Sequence, residues 1–170
     1  MRLIAIVAAD AAWGIGKDGG MLYQLPLDLK YFAQQTRGHA VVMGRATLQS
    51  LPGGQPLKGR TNIVLTRDRS LQVPGAQVVH SLAELARALA PLAGQDVFVI
   101  GGQQVYEQLC DHCHMALVTR VQATRPADTF FPDLDARPGW RLAERSAPVE
   151  EGGVVYTHCT YVNDRPAPLG

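Results

Sequence analysis

The chain is short of most features that mark a specialised class of protein. Of its 170 residues only 18% are charged and 6% aromatic, and Lys and Arg outnumber Asp and Glu by 16 to 15, for a net charge of +1. So even a balance offers no basic face to a nucleic acid or an anionic membrane. Long apolar runs are missing too. LIAIVAA, between Arg2 and Asp10, is too short to span a bilayer and lacks a small-residue cleavage site, so it reads as a buried first strand. There are only three cysteines, which cannot all pair with one another. Nothing else suggests export, so reduced thiols and a cytoplasmic location are expected. No repeat, charge run or low-complexity tract marks a linker, and 170 residues are enough to bury one ordinary core, so residues 1–170 are expected to form one domain.

What the sequence does contain is a succession of short apolar runs with helical patterns between them: LIAIVAA, HAVVMG, TNIVLT, AQVVHS, DVFVIGG and MALVTRV. Continuous runs of this length suit strands buried on both faces, as in a parallel sheet covered by helices. The clearest helix start is Ser81 with Glu84 three residues later, a capping box, followed by Leu82, Leu85, Ala86 and Leu89 at helical spacing. The last third is richer in β-formers. GVVYTHCTYV follows the turn-forming EEGG and should pair with WRLAERSAPV as an antiparallel hairpin at the sheet edge.

Two local patterns imitate cofactor motifs. Gly14, Gly16 and Gly19 in GIGKDGG match G-x-G-x-x-G after a strand, but no helix opens behind them and Pro26 blocks one until that point. The glycines are therefore expected in a loop of about a dozen residues, either a plain surface loop or a mobile lid. CDHCH, Cys110 to His114, matches C-x-x-C-H, and His158 with Cys159 could complete a zinc site. Haem attachment would require an exported chain, and no second C-x-x-C or H-x-x-x-H accompanies the pair for zinc, so buried or semi-exposed thiols at a helix end are expected and no metal.

LPLDLKYFAQQT, from Leu25, reads as a helix with Leu25, Leu29 and Phe32 on one stripe, and the same geometry puts the Asp28 carboxylate on that apolar face. Buried without a partner it would cost several kcal/mol, so a basic side chain or a bound ligand should satisfy it. The plainer alternative is that Asp28 only stabilises the first turn through the helix dipole.

Taken in order, GIGKDG, LPLDLKYF, VVMGRATLQSL, PLKGRTNIVLTR, VFVIGGQQVYEQ, LVTRV and DTFFPD resemble the dihydrofolate reductases nearly end to end. The resemblance implies an α/β fold in one domain: an eight-stranded, mostly parallel sheet with an antiparallel C-terminal edge and flanking helices. It implies reduction of 7,8-dihydrofolate to tetrahydrofolate by NADPH, with hydride going to pterin C6 and a proton to N5. Antifolate-like small molecules would be further ligands, and a monomer is expected. GIGKDGG would be the flexible loop closing over nicotinamide and substrate. Asp28 would be the lone ionisable group of the pteridine pocket, supported by Thr119, with Ala8, Leu29, Phe32 and Leu51 as apolar lining and Arg60 receiving the glutamate α-carboxylate. An anchored carboxylate orients the ring and favours its protonated form.

For NADPH the resemblance implies contacts from Ala9, Ile15, Gly44, Arg45, Ala46, Thr47, Leu65, Thr66 and Arg67, with the arginines at the 2′-phosphate. It adds Ile100, a cis-linked Gly101 and Gly102, then Gln103, Gln104, Val105 and Tyr106 near the pyrophosphate. Two departures stand out: Leu22-Tyr23 where the family commonly has Pro-Trp, and the bulky Gln103 after the glycine pair. Tyr23 is expected to contact pterin and hold a water through its hydroxyl. A related NADPH reductase of riboflavin synthesis would share the sheet, but its substrate has neither pterin nor glutamate tail, which LPLDLKYF and Arg60 fit. A non-catalytic nucleotide-binding module would need only the cofactor half.

Overall fold

A computed structural model describes residues 1–170. In chain order the elements are β1 (Arg2–Ala9), β2 (Gly14–Lys17), β3 (Gly20–Met21), α1 (Pro26–Thr36), β4 (Ala40–Gly44), α2 (Arg45–Ser50), β5 (Thr61–Leu65) and β6 (Ala76–Val79). There follow α3 (Leu82–Leu89), β7 (Asp96–Gly101), α4 (Gln103–Leu109), β8 (Met115–Val121), β9 (Thr129–Phe130), β10 (Trp140–Arg145), β11 (Val149–Glu151) and β12 (Val154–Asn163).

Eight strands form the main sheet in the order β10-β12-β8-β1-β7-β4-β5-β6, and the short β11 adds to β12. From β8 to β6 every neighbouring pair is parallel, while β12 runs antiparallel to β8 and β10 to β12. The C-terminal hairpin is therefore an antiparallel edge on a parallel sheet. Alternation along each strand divides the core. Ile4, Ile6, Val41, Met43, Val64 and Phe98 face the side that carries Tyr31 and Phe32 of α1. Leu3, Ala5, Val42 and Val99 face the side packed by Leu85 and Leu89 of α3 and Val105, Tyr106 and Leu109 of α4. The Ser81 hydroxyl accepts from the Glu84 N–H at 3.1 Å, and Glu84 Oε2 accepts from the His80 N–H at 2.6 Å, so the acidic side chain reaches back one residue beyond the cap.

The chain leaves β1 for β4, β5 and β6, returns to β7 beside β1, and then crosses to β8 on the other side of β1. In such sheets the crevice forms beyond the carboxyl ends of the strands, where the winding reverses. The expected site residues stand there: Ala8 and Ala9 end β1, Gly44 ends β4, Leu65 ends β5, Ile100 and Gly101 end β7, and Thr119 lies near the end of β8. Register brings Ala8 opposite Thr119, Gly44 opposite Leu65 and Met43 opposite Gly101.

One expectation needs correction. GIGKDGG is not irregular loop: β2 pairs with β3 as a hairpin and with β9 on its other side, forming a separate three-stranded sheet. Asp18 (φ 52°) and Gly19 (φ 79°) both take positive φ at the turn, the conformation that joins two strands through a two-residue primed loop. Gly16 permits the pairing, since a Cβ there would meet Thr129 Oγ1 at 2.5 Å.

Candidate active site

Pro26 opens α1 with its fixed φ and leaves Leu25 as the N-cap residue, buried in a cluster with Tyr23, Val121 and Tyr156. Asp28 follows in the first turn. Thr119 Oγ1 donates to Asp28 Oδ1 at 2.7 Å, and His158 Nε2 lies 3.1 Å from the same oxygen. The Asp28 side chain is 14% exposed. Both protein contacts fall on Oδ1, which leaves Oδ2 for a ligand. A carboxylate held this way can accept paired N–H donors from a ligand edge and can stabilise positive charge beside it. Asp28 is not the lone ionisable group of this pocket, because His158 shares it. Local pattern does not reveal that residue: His158 sits opposite Thr119 only through the antiparallel register of β12 on β8.

The expected apolar lining separates into two behaviours. Phe32 and Leu51 are half-buried against the core beneath α1, whereas Leu29, on the same helical stripe as buried Leu25, remains 46% exposed. Leu27 and Met21 are exposed as well. A stripe that sinks at Leu25 and Phe32 but not at Leu29 leaves uncovered apolar surface one residue from Asp28, a surface suited to a flat aromatic ligand.

Tyr23 behaves differently from expectation. It is buried, its hydroxyl donates to Asp10 Oδ2 at 3.1 Å, and the Arg125 guanidinium lies 4.2 Å over its ring. Burial and the Asp10 bond push its phenol up to about 12. The hydroxyl's proton is thus directed to the buried Asp10. Asp10, fully buried, also accepts from the N–H groups of Ala12, Gly14 and Arg125, closing the base of the β2–β3 hairpin. It is a structural carboxylate absent from the sequence-based expectations, although Asp four residues before Gly at a strand end is a recognisable turn signal.

Arg60 stands at the far end of α1. Its Nε donates to Thr36 Oγ1 at 3.2 Å and its Nη1 to the Lys58 carbonyl at 2.7 Å, which fixes the plane of the fork and leaves further N–H groups free. Burial, and secondarily the nearby Arg37, lower its pKa from the usual arginine value. Two neighbouring guanidiniums favour an anion between them.

Across the crevice, α2 and α4 begin at Gly44 and Gly102, and neither start is capped by a side chain. Their first N–H groups are therefore available to other acceptors. The Gly101–Gly102 peptide is cis, and Gly101 takes φ 123°, where a Cβ would lie 3.3 Å from Thr47 Oγ1 and from the Tyr106 ring. Thr47 is half-buried, and Ala46 and Gln104 are exposed. Val105 and Tyr106 are core residues: the Tyr106 hydroxyl donates to the Ile6 carbonyl at 2.7 Å, so that side chain supports the glycine pair from below. Gln103 reaches sideways, its Oε1 accepting from the Phe130 N–H at 2.6 Å, and ties the start of α4 to the sheet that holds GIGKDGG. Half-buried Ile15 packs against the core cluster that contains buried Ala9. Arg45 pairs with Asp68 at 3.1 Å, Arg67 is exposed, and Thr66 Oγ1 accepts from the Asp68 N–H at 3.2 Å. Ser70, through its hydroxyl and N–H, and then Arg45 hold the Asp68 carboxyl below its ordinary range.

Cys110 and Cys113 pack into the core beyond α4, and Cys159 is buried on β12. No group of three or more His, Cys, Asp or Glu side chains is assembled that could hold a metal ion, and no helix is long and apolar enough to cross a membrane.

The family model for dihydrofolate reductase matches residues 2–163. The chain belongs to the dihydrofolate reductase family. It is 39% identical over 164 residues to the dihydrofolate reductase of Neisseria gonorrhoeae, covering 95% of this chain and 99% of that protein. It is 37% identical over 180 residues to a bifunctional dihydrofolate reductase-thymidylate synthase of Glycine max, covering 94% of this chain but 33% of the relative. The chain thus spans a third of the length of such bifunctional relatives. Among solved structures, a dihydrofolate reductase from Enterococcus faecalis complexed with NADP(H) and RAB-propyl superposes with a TM-score of 0.83 at 33% identity, covering 96% of both chains.

Proposed function

We propose that residues 1–170 act as one dihydrofolate reductase domain, which reduces 7,8-dihydrofolate to tetrahydrofolate with NADPH. The observation that carries this reading is the Asp28 carboxylate, fixed through Oδ1 by Thr119 and lying beside uncovered apolar surface in a chain of this family. Asp28 would accept the amidine edge of the pterin and favour protonation at N5; Leu29, Phe32 and Leu51 would line the ring and the aminobenzoyl group. Arg60, its plane fixed by Thr36 and Lys58, would take the α-carboxylate. When bound, NADPH supplies the hydride. The uncapped starts of α2 and α4 fit its phosphates, the side-chain-free Gly101 and Gly102 let a cofactor approach the backbone, and Arg45 and Arg67 fit a 2′-phosphate.

Antifolate-like molecules should compete for the same carboxylate. We infer a cytoplasmic, monomeric protein, supported by three free cysteines and by an outer strand, β10, that exposes Arg141, Glu144 and Arg145 against edge pairing. The test is NADPH oxidation on addition of dihydrofolate, followed spectrophotometrically, with light scattering for assembly state. A chain that binds NADPH yet leaves it unoxidised would be a nucleotide-binding module instead.

A further inference from the structure

We propose that His158 is a positioning residue for Asp28, holding the carboxylate through Nε2 and adding a second proton-binding group to the pocket. This rests on the reductase reading above and extends it to the pH dependence of the site. His158 Nε2 is 3.1 Å from Asp28 Oδ1, and the imidazole stacks on Tyr31 of α1 with ring centroids 3.9 Å apart and planes inclined by 14°. The strand fixes it as well, since the His158 N–H donates to Ser146 Oγ at 2.8 Å and its carbonyl accepts from the Ser146 N–H. The ring therefore has one place to stand. An ionised Asp28 is acceptor-only, so Nε2 carries the proton in this contact, whether the ring is neutral or an imidazolium. With the Thr119 hydroxyl on the same oxygen, Asp28 Oδ1 accepts two donors and the carboxylate cannot rotate without losing both.

The electrostatic consequence follows from the neighbours. His158 is 24% exposed on its side chain and opens on a cleft lined by Tyr31, Glu144, Arg145, Ser146 and Thr160. Facing it are Asp28 and Tyr31 from α1, the oppositely charged Glu144 and Arg145 from β10, and Tyr156 from its own strand, whose hydroxyl donates to Glu151. Burial, then the Asp28 charge, raise the Tyr31 phenol; burial and the Glu151 bond push Tyr156 up to about 12. As an imidazolium His158 cancels the Asp28 charge; once it loses its proton the pair becomes singly negative, which favours a protonated pterin.

The test uses His158→Phe, which keeps a ring to stack on Tyr31 but has no N–H, and His158→Gln, which keeps a donor but does not titrate. Hydride transfer is followed in single turnovers from about pH 5 to 9, with thermal unfolding of each variant. His158→Phe should slow the step roughly tenfold or more, the loss of one hydrogen bond to a charged group. His158→Gln should recover part of that rate, because it keeps a donor for Asp28 Oδ1, while its pH profile differs from wild type, because it has no imidazole to carry a proton. If the phenylalanine variant fails to fold, the glutamine and wild-type profiles decide. Superimposable profiles, or a folded His158→Phe with the wild-type rate, would overturn this inference and leave the reductase reading standing. A wild type without dihydrofolate-dependent NADPH oxidation would remove both.

Discussion

Replacing Asp28 by asparagine exchanges one oxygen for an amide nitrogen and removes the charge on which the proposed chemistry depends. The side-chain carbonyl of the new asparagine would still accept from Thr119 Oγ1, which lies 2.7 Å from Asp28 Oδ1, so the fold should survive. The amide would then occupy the Oδ2 position, turning a donor toward a ligand edge that itself donates N–H groups. One charge-assisted bond of ~1.5–3 kcal/mol is lost and a donor–donor contact is added, so a total of about 3–4 kcal/mol is expected. That corresponds to a fall of roughly 10²–10³-fold in hydride transfer at neutral pH. The loss should shrink in acid, where the substrate arrives already protonated and the carboxylate has less to contribute. Single-turnover loss of NADPH absorbance, measured from acid to alkaline pH with circular dichroism as the folding control, decides the matter. A wild-type rate at pH 7 and above in the folded variant would refute the role assigned to Asp28.

Arg45→Ala and Arg67→Ala should each lose roughly tenfold or more in NADPH affinity and little in NADH affinity, because only NADPH carries the 2′-phosphate, and each charge-assisted bond contributes ~1.5–3 kcal/mol; steady-state kinetics with both cofactors would show an unchanged preference in the double variant if the assignment is wrong. Gly16→Ala should reduce turnover by disturbing the β2–β9 pairing, where a Cβ would press on Thr129 and the Gly20 carbonyl; a fully active, normally stable variant would show that the pairing is dispensable. All five tyrosines have raised pKa values through burial, Tyr23 and Tyr156 to about 12. The folded state therefore holds phenol protons that the unfolded chain releases from about pH 10, so stability should fall as pH rises from about 10 toward 12; phenolate absorbance rising smoothly near pH 10 in still-folded protein would contradict this. The native thiols should react slowly with disulfide reagents at pH 8, since burial pushes Cys110 up to about 11 and Cys113 higher still, and activity should survive chelators; prompt titration of Cys110 and Cys113 in native protein, or one zinc per chain lost on replacing them, would overturn that.

What is legible in the sequence is what a single element decides. Helical spacing alone puts Asp28 on the face of Leu25 and Phe32, and the capping box at Ser81 and Glu84 needs four residues. The Asp18-Gly19 turn is equally local, yet the surrounding glycines resemble a loop, because β2 and β3 are too short to show alternation and gain their third strand from residues more than a hundred positions away. His158 is the same case in the site itself. Its neighbour Thr119 and its partner Asp28 come from two other elements, and only the register of β12 on β8 and the packing of α1 over both bring them together. Tyr23 shows the reverse failure: its place just before α1 is legible, but the direction of its hydroxyl depends on Asp10, a partner at the preceding strand end.

The two carboxylates Asp10 and Asp28 show how surroundings decide what a carboxylate has left to offer a ligand. Asp10 is fully buried and both its oxygens are filled: Oδ1 accepts from Ala12 and Gly14, and Oδ2 from Tyr23 and Arg125. A carboxylate with both oxygens taken holds chain segments together and has nothing to offer a ligand. Asp28 takes two donors on one oxygen and keeps the other available, at the edge of the crevice and beside exposed Leu27 and Leu29. The cost of leaving that oxygen without a protein partner is small while water reaches it, and the gain appears when a flat ligand with paired N–H groups covers the leucines and excludes that water. Apolar exposure and an incompletely bonded carboxylate on successive residues of one helix are each unfavourable for folding; together they are what a site for such a ligand requires.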